Sequence, residues 1–387
     1  MYEVTSTAVS ERIESYCRTW RMWLEDADSV IMGDMIMSGT STQQSTSLSN
    51  DIELGAVCSQ SWNMTISGRD TKYLGKEYDL YLYLVDYAHG YTTYADLENY
   101  TYGELSKLTV KQIGKLGEML GGEKIPMGKF TCVKSKRSSD STELTFADRL
   151  YFSDKAYVPS VRLPAWSRAI EDDICKKLGL TNGNDYSKSA KLRAKGGARL
   201  YDKNKLRLKT ANFDFLIETI PEKTTMRQML SYIASAQGQF GVVDRFGRYV
   251  RKWYGRSEKI LDNNTIDLPV LSERQNVIAG IICKVSDEQT LKLGITSGSS
   301  GRVLEFENPY MTSSLLNSLW YRIKGFSWYT TELYHRLGDP RYDIGDVVTY
   351  DSGTETYDIP ITNLGFNFDG GLSADISAVG LSVEEQI

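Results

Sequence analysis

Histidine is nearly absent from these 387 residues: His89 and His335 are the only two. A zinc peptidase, or a hydrolase of the Ser-His-Asp or Cys-His type, would have to be built on one of them. His335 lies between Tyr334 and Arg336 in a strand-like run, and His89 stands beside Gly90 in a polar loop. Both are expected in structural or solvated roles. Cysteine is scarce too. Cys17, Cys58, Cys132, Cys175 and Cys283 are odd in number and never form a C-x-x-C pair, which suits a reduced compartment and leaves no legible metal or cluster site. Long apolar runs are missing: the most apolar stretch, Tyr78 to Tyr87, is broken by Asp79 and Asp86, so no membrane span is expected. No charged-then-apolar leader opens the sequence, and cytoplasmic synthesis without a secretion signal is expected. No G-x-x-x-x-G-K-[ST] occurs, and Gly114, Gly117, Gly121 and Gly122 do not follow a strand at dinucleotide-binding spacing. A net charge of -5 excludes a surface built to coat nucleic acid.

What is present is aromatic and strand-forming. Twenty-five Tyr and seven Trp favour strands and interfaces. Val9, Ile13, Tyr16, Trp20, Trp23 and Leu24 recur at helical spacing behind Ser10, which predicts an amphipathic helix from Ser10 to about Glu25 within an N-terminal unit, 1–27. From Asp28 short alternating runs take over, such as Trp62-Met64-Ile66 and Leu80-Leu82-Leu84. The Ser/Thr-dense stretch Gly39 to Asn50 reads as an exposed loop. Thr109 and Gln112 have capping-box spacing and predict a helix through Leu120, stopped by Gly121-Gly122. Gly128–Lys136 and Glu143–Arg149 read as two strands that complete a first β-rich domain, 28–158.

The middle, 159–265, reads as α/β. Trp166, Ile170, Ile174 and Leu178 step down a helix closed by Gly179, and Thr224 opens a second helix carrying Met226, Met229, Leu230 and Ile233. A hairpin follows, turning at Asp244-Arg245-Phe246-Gly247. Strands resume in 266–387, with a helix from Ser313 to Lys324 and a last hairpin at Asp369-Gly370-Gly371. No tandem repeat of 20–50 residues stands out, but both outer thirds are β-rich with one helix, as a duplicated architecture would be.

Three features invite chemistry. Glu305 and Glu307 stand at i and i+2 on a strand, about 7 Å apart, where two carboxylates could flank a glycosidic bond. The simpler expectation is that Leu304 and Phe306 face the core while the glutamates face solvent. A basic segment, 187–209, holds Lys188, Lys191, Arg193, Lys195, Arg199, Lys203, Lys205, Arg207 and Lys209 against the single acid Asp202. It reads as a solvated, folded segment or as a contact for an acidic partner. DNA is disfavoured because only Tyr201 interleaves for stacking. Trp20 and Trp23 read as core residues or as anchors for another subunit.

Several ordered motifs point further. Ile125-Pro126-Met127-Gly128-Lys129-Phe130 is followed by a hairpin and by Leu144-Thr145-Phe146-Ala147-Asp148. Thr225-Met226-Arg227-Gln228-Met229-Leu230 leads to Asp244 and Gly247. Asn308-Pro309, Gly345-Asp346-Val347-Val348 and Phe368-Asp369-Gly370-Gly371-Leu372 close the series. This order resembles the phage tail baseplate hub family, whose module also begins tail-associated lysins. It covers residues 125–380 and, more thinly, 28–60. The resemblance implies an α+β, β-rich fold: two related β-barrel-like domains joined by an α/β middle region. It implies a homotrimer that adapts a sixfold tail tube to threefold tip parts in the virion. Its partners would be itself, the tail tube or distal tail protein, and a central spike, tape-measure end or tail fibre, with no membrane and no sequence-specific nucleic acid. No catalytic residue, cofactor or metal is expected, and no lysin domain after Ile387. The alternatives are the delivery module of a tail-associated peptidoglycan hydrolase, or a host-surface adhesin.

Overall fold

The computed structural model describes residues 1–380 except 33–34, 49, 69–71, 87–91, 99, 187–189, 193–212 and 298–300. Helix α1 (Thr7–Glu14) is capped by Ser6 and buries Val9 and Ile13. Strands β1 (Trp20–Glu25), β2 (Val30–Met32), β3 (Ile36–Gln44), β4 (Ser61–Ser67) and β5 (Glu77–Leu84) follow. Three single-turn helices come next, α2 (Tyr94–Leu97), α3 (Tyr102–Leu105) and α4 (Val110–Ile113), then β6 (Ile125–Arg137) and β7 (Ser141–Ala147). The middle region holds β8 (Ala165–Trp166), α5 (Ser167–Leu178), β9 (Thr181–Asn182), β10 (Ala190–Leu192), β11 (Phe213–Ile217), α6 (Met226–Ala236), β12 (Phe240–Val243) and β13 (Arg248–Lys252). The last third runs through β14 (Gly255–Ile260), β15 (Val270–Leu271), β16 (Asn276–Lys284), β17 (Thr290–Gly294), β18 (Arg302–Glu307) and α7 (Ser313–Ile323). It ends with β19 (Ser327–Trp328), β20 (Thr331–His335), β21 (Asp346–Asp351), β22 (Thr356–Pro360), β23 (Asn363–Phe368) and β24 (Leu372–Ala378).

One eleven-stranded sheet organises the molecule, in the order β15-β20-β24-β23-β3-β4-β7-β6-β5-β1-β2. The two β-rich outer thirds meet inside it, where β23 pairs antiparallel with β3 (Asn363 opposite Gln44, Phe368 opposite Gly39). Smaller sheets carry the α/β middle (β10-β11-β8 and β12-β13-β9) and the rest of the last third (β14-β21-β22 and β17-β16-β18). The fold is therefore α+β and β-rich. None of the sheets closes among the described residues, so the expected barrel-like closure is not seen. The free edge of β3 is taken by β23, and the first unit cannot close through that strand.

Local signals place most elements as read. Thr225 and Gln228 form the capping box that opens α6, and Gly179 closes α5 in the left-handed region at φ 71°. Three readings are corrected. The N-terminal helix stops at Glu14, and Trp20–Glu25 is a strand. Both faces of β1 are covered: Trp20, Met22 and Leu24 enter the main core while Trp23 enters a second apolar cluster, so the alternation that marks a strand is lost. The Ser/Thr-rich stretch from Gly39 begins inside β3, where Gly39, Ser41 and Gln43 face inward at the seam with β23. The helix opened by Thr109 lasts one turn, to Ile113, before two 3-10 turns.

Candidate interaction surfaces and the joints behind them

The carboxylates of the enzymatic suspicion lie on the open face of β18. Leu304 is buried, whereas Glu305 and Glu307 are exposed, and Glu307 lies 3.6 Å from Lys284. His335 is buried under the ring of Tyr342 and within 3.3 Å of the Thr265 hydroxyl; His89 lies outside the described residues. No cluster of His, Cys, Asp and Glu able to hold a metal occurs among the described residues, and the five cysteines are free thiols. No described helix is long and apolar enough to cross a membrane. The basic segment falls almost wholly outside the described residues.

Four of the seven tryptophans and many tyrosines are interior. Trp20, Trp23, Trp62 and Trp328 are all at most 2% exposed. Trp253, Tyr254, Phe326 and Trp328 form a continuous aromatic stack, with Tyr254 and Phe326 face to face at 5.5 Å, that fastens the middle region to the last third. The helical reading of Trp20 and Trp23 was wrong, but their reading as core residues holds.

The outer face of the large sheet is instead short and polar. Two shallow open depressions of about 420 and 630 Å³ lie side by side on it and share β3. The first is lined by Thr40, Asn63, Thr145 and the opposed charges of Lys134, Lys136 and Glu143. The second reaches Glu332, Tyr334, Asp375 and Val270. Neither converges polar groups on one point, as a small-molecule site does. Within the second, at the β15 end of the sheet, Leu268 and Val270 are 87% and 69% exposed. That end and the β2 end are the two free edges of the sheet.

Behind these surfaces, the motif residues act as joints between the three regions. Arg245, in the turn of the β12–β13 hairpin, pairs with Asp343 at 2.8 Å and donates to the Pro126 and Tyr342 carbonyls at 3.0 and 2.5 Å. One guanidinium thereby ties the middle region to both outer thirds. Burial works against the Asp343 charge, but Arg245 and Lys252 hold its carboxyl below the usual carboxylate range. Asp148 ends β7 and accepts from the Ser59 hydroxyl and from the Gln60 and Leu150 amides at 2.8 to 2.9 Å. Burial nevertheless pushes its carboxyl up to about 6. Arg227 of α6 pairs with Asp154 at 2.6 Å and donates to the Leu150 carbonyl. Asn308 donates to Tyr232 and Ser235 of the same helix at 2.7 and 2.9 Å. Arg245 was legible only as a turn residue, since nothing local reveals a partner 98 residues away.

No protein-family profile matches the chain, and no curated protein matches it by sequence. Solved structures do. A tail protein from Neisseria meningitidis aligns over 95% of this chain and 99% of its own, at 10% identity and a TM-score of 0.51. The 43 kDa tail protein of prophage MuSo2 from Shewanella oneidensis aligns over 93% and 97%, at 14% identity and 0.49. A prophage tail protein from Listeria monocytogenes aligns over 94% and 96%, at 10% identity and 0.45. Only the Neisseria likeness is strong enough to carry an argument, and at that identity it speaks for architecture alone. Over 95% of its length, the chain has the fold of this tail protein.

Proposed function

We propose that the chain is a structural component of the tail tip of a phage or tail-like particle, the baseplate hub, and that three copies form its ring. The observation that carries this reading is the full-length likeness in fold to a tail protein, in a chain whose ordered motifs sit at the joints between domains. Two similar β-rich thirds sharing one sheet would give six comparable units in a trimer, which suits a sixfold tube above and threefold parts below. The work is mechanical: rigid joints at Arg245, Asn308 and Arg227 transmit load between thirds, and the polar sheet face meets neighbouring components.

The free edges β2 and β15 are three and two residues long. Edges this short resist open-ended strand addition, so subunit contacts there would rest on side chains such as Leu268 and Val270. The chain is proposed to do no chemistry of its own, since Glu305 and Glu307 are exposed side chains and Glu307 is paired with Lys284. Native mass measurement of the purified chain should give a trimer, and labelling in particles should place it on the tail axis. A stable monomer across micromolar concentrations, together with an off-axis position, would overturn the reading. Clearing of purified cell wall that is lost in Glu305→Gln would overturn the non-catalytic part.

A further inference from the structure

Between β5 and β6 the sequence repeats every eight residues, three times: Thr93-Tyr94-Ala95-Asp96-Leu97, Thr101-Tyr102-Gly103-Glu104-Leu105 and Thr109-Val110-Lys111-Gln112-Ile113, with Tyr100, Leu108 and Leu116 at the eighth positions. Each octad folds into the same object, a single helical turn. Its leading Thr amide donates to the fourth-position side chain, at 2.6 Å to Asp96, 2.7 Å to Glu104 and 2.8 Å to Gln112. One turn of helix is not stable by itself, so these turns stand on the packing of their fifth and eighth positions. Those residues do not join the main core. They pack with Trp23, Val30, Tyr83, Val85 and Met119 in a separate apolar cluster on the far face of β1 and β5.

Polar ties hold this layer to the sheet, among them the Glu118 carbonyl, which accepts from the Asp86 amide at 2.7 Å just past β5. Lys107 reaches Glu25 at 3.2 Å, and the Gln112 amide nitrogen donates to the Val30 carbonyl at 2.7 Å; both partners belong to the β1–β2 hairpin at the sheet's edge. In the second and third octads the second-position side chains turn away, with Tyr102 and Val110 88% and 87% exposed.

We propose that residues 93–98 and 100–119 form a lid that opens as one unit from the Trp23–Tyr83 face while the main core stays folded. Its separate cluster, its repeated marginal turns and its latches to the β1–β2 hairpin make a cooperative sub-structure of low local stability. Opening would bare an aromatic face beside the free edge β2. The inference rests on this packing and not on the ring reading.

Hydrogen exchange with mass readout on the full-length protein tests it. The lid amides should exchange as one block, at least about 100-fold faster than those of β4, β6 and β7. Thr101→Ala removes one cap and should speed all three turns together, by about fivefold. Lys107→Ala should speed the same block and leave the sheet amides unchanged. Protection of these amides equal to that of the sheet overturns the lid. Acceleration in Thr101→Ala confined to residues 101–105 overturns its opening as a unit. The wild-type pattern decides the first point even if a variant folds poorly.

Discussion

The buried pair Glu171–Arg251 gives the sharpest test of how the middle region is held. Glu171 on α5 and Arg251 on β13 lie 2.7 Å apart with both side chains at 0% exposure. Arg251 also donates to the Tyr186 hydroxyl at 2.7 Å and to Gln239 at 3.1 Å, while Asn182 donates to Glu171 at 3.0 Å. Burial disfavours the Arg251 charge, yet Glu171 more than restores it and raises its pKa. Replacing Glu171 by Gln leaves a dry guanidinium facing a neutral amide, which costs about 3–5 kcal/mol. Arg251→Met strands the carboxylate and should cost a similar amount. In Glu171→Gln/Arg251→Met both charges go, and with them the desolvation they impose, so the double variant should lose far less than the sum. The coupling energy should reach at least about 3 kcal/mol. Urea unfolding at neutral pH reads all three, with an unchanged slope m required for the comparison. Against a total stability of about 5–15 kcal/mol for a domain, either single change is severe. Losses below about 1 kcal/mol, or losses that add to within about 0.5 kcal/mol, would refute the claim of a dry, coupled pair.

Three further outcomes are expected. Gly55 has φ 84°, and a Cβ there would meet the Ser231 carbonyl and Ser235 Cβ of α6 at 2.6 Å, so Gly55→Ala should lower stability by about 1–3 kcal/mol in the same unfolding assay. Because the folded pKa of Asp343 is depressed, its contribution is fully present above the ordinary carboxylate value near 4 and is lost as pH falls through the lower folded value. Asp343→Asn should therefore flatten the stability profile below about pH 4; an unchanged acid limb would count against the Arg245 joint. Glu305→Gln should change thermal stability by less than about 0.5 kcal/mol, as expected of an exposed side chain, and leave the oligomer mass unaltered.

Local hydrogen-bond chemistry was legible in the residues themselves. The Thr109 cap, the Gly179 stop and the hairpins at 244–247 and 369–371 all stand where they were read, and α6 is capped by Thr225, one residue after the Thr224 start that was read, because each is satisfied within a few residues. The solvent-facing position of Glu305 and Glu307 was also read correctly, from the alternation along β18. The Trp20–Glu25 strand was not legible: buried on both faces, it shows apolar positions that imitate helical spacing. Nor was β3, whose inward Ser41 and Gln43 make sense only with β23 beside them.

By itself the sequence determined the β-rich class, most of the order of elements, the scarcity of histidine and, through motif order, the likeness to tail proteins. Only the tertiary structure decided that the outer thirds share one open sheet, that Arg245 joins three regions, and that three octads cover a second apolar cluster. The reason is range. Caps and turns are chosen by neighbours in sequence, whereas a strand's second edge and a buried guanidinium's partners are chosen by segments 70 to several hundred residues away, and no local pattern encodes them.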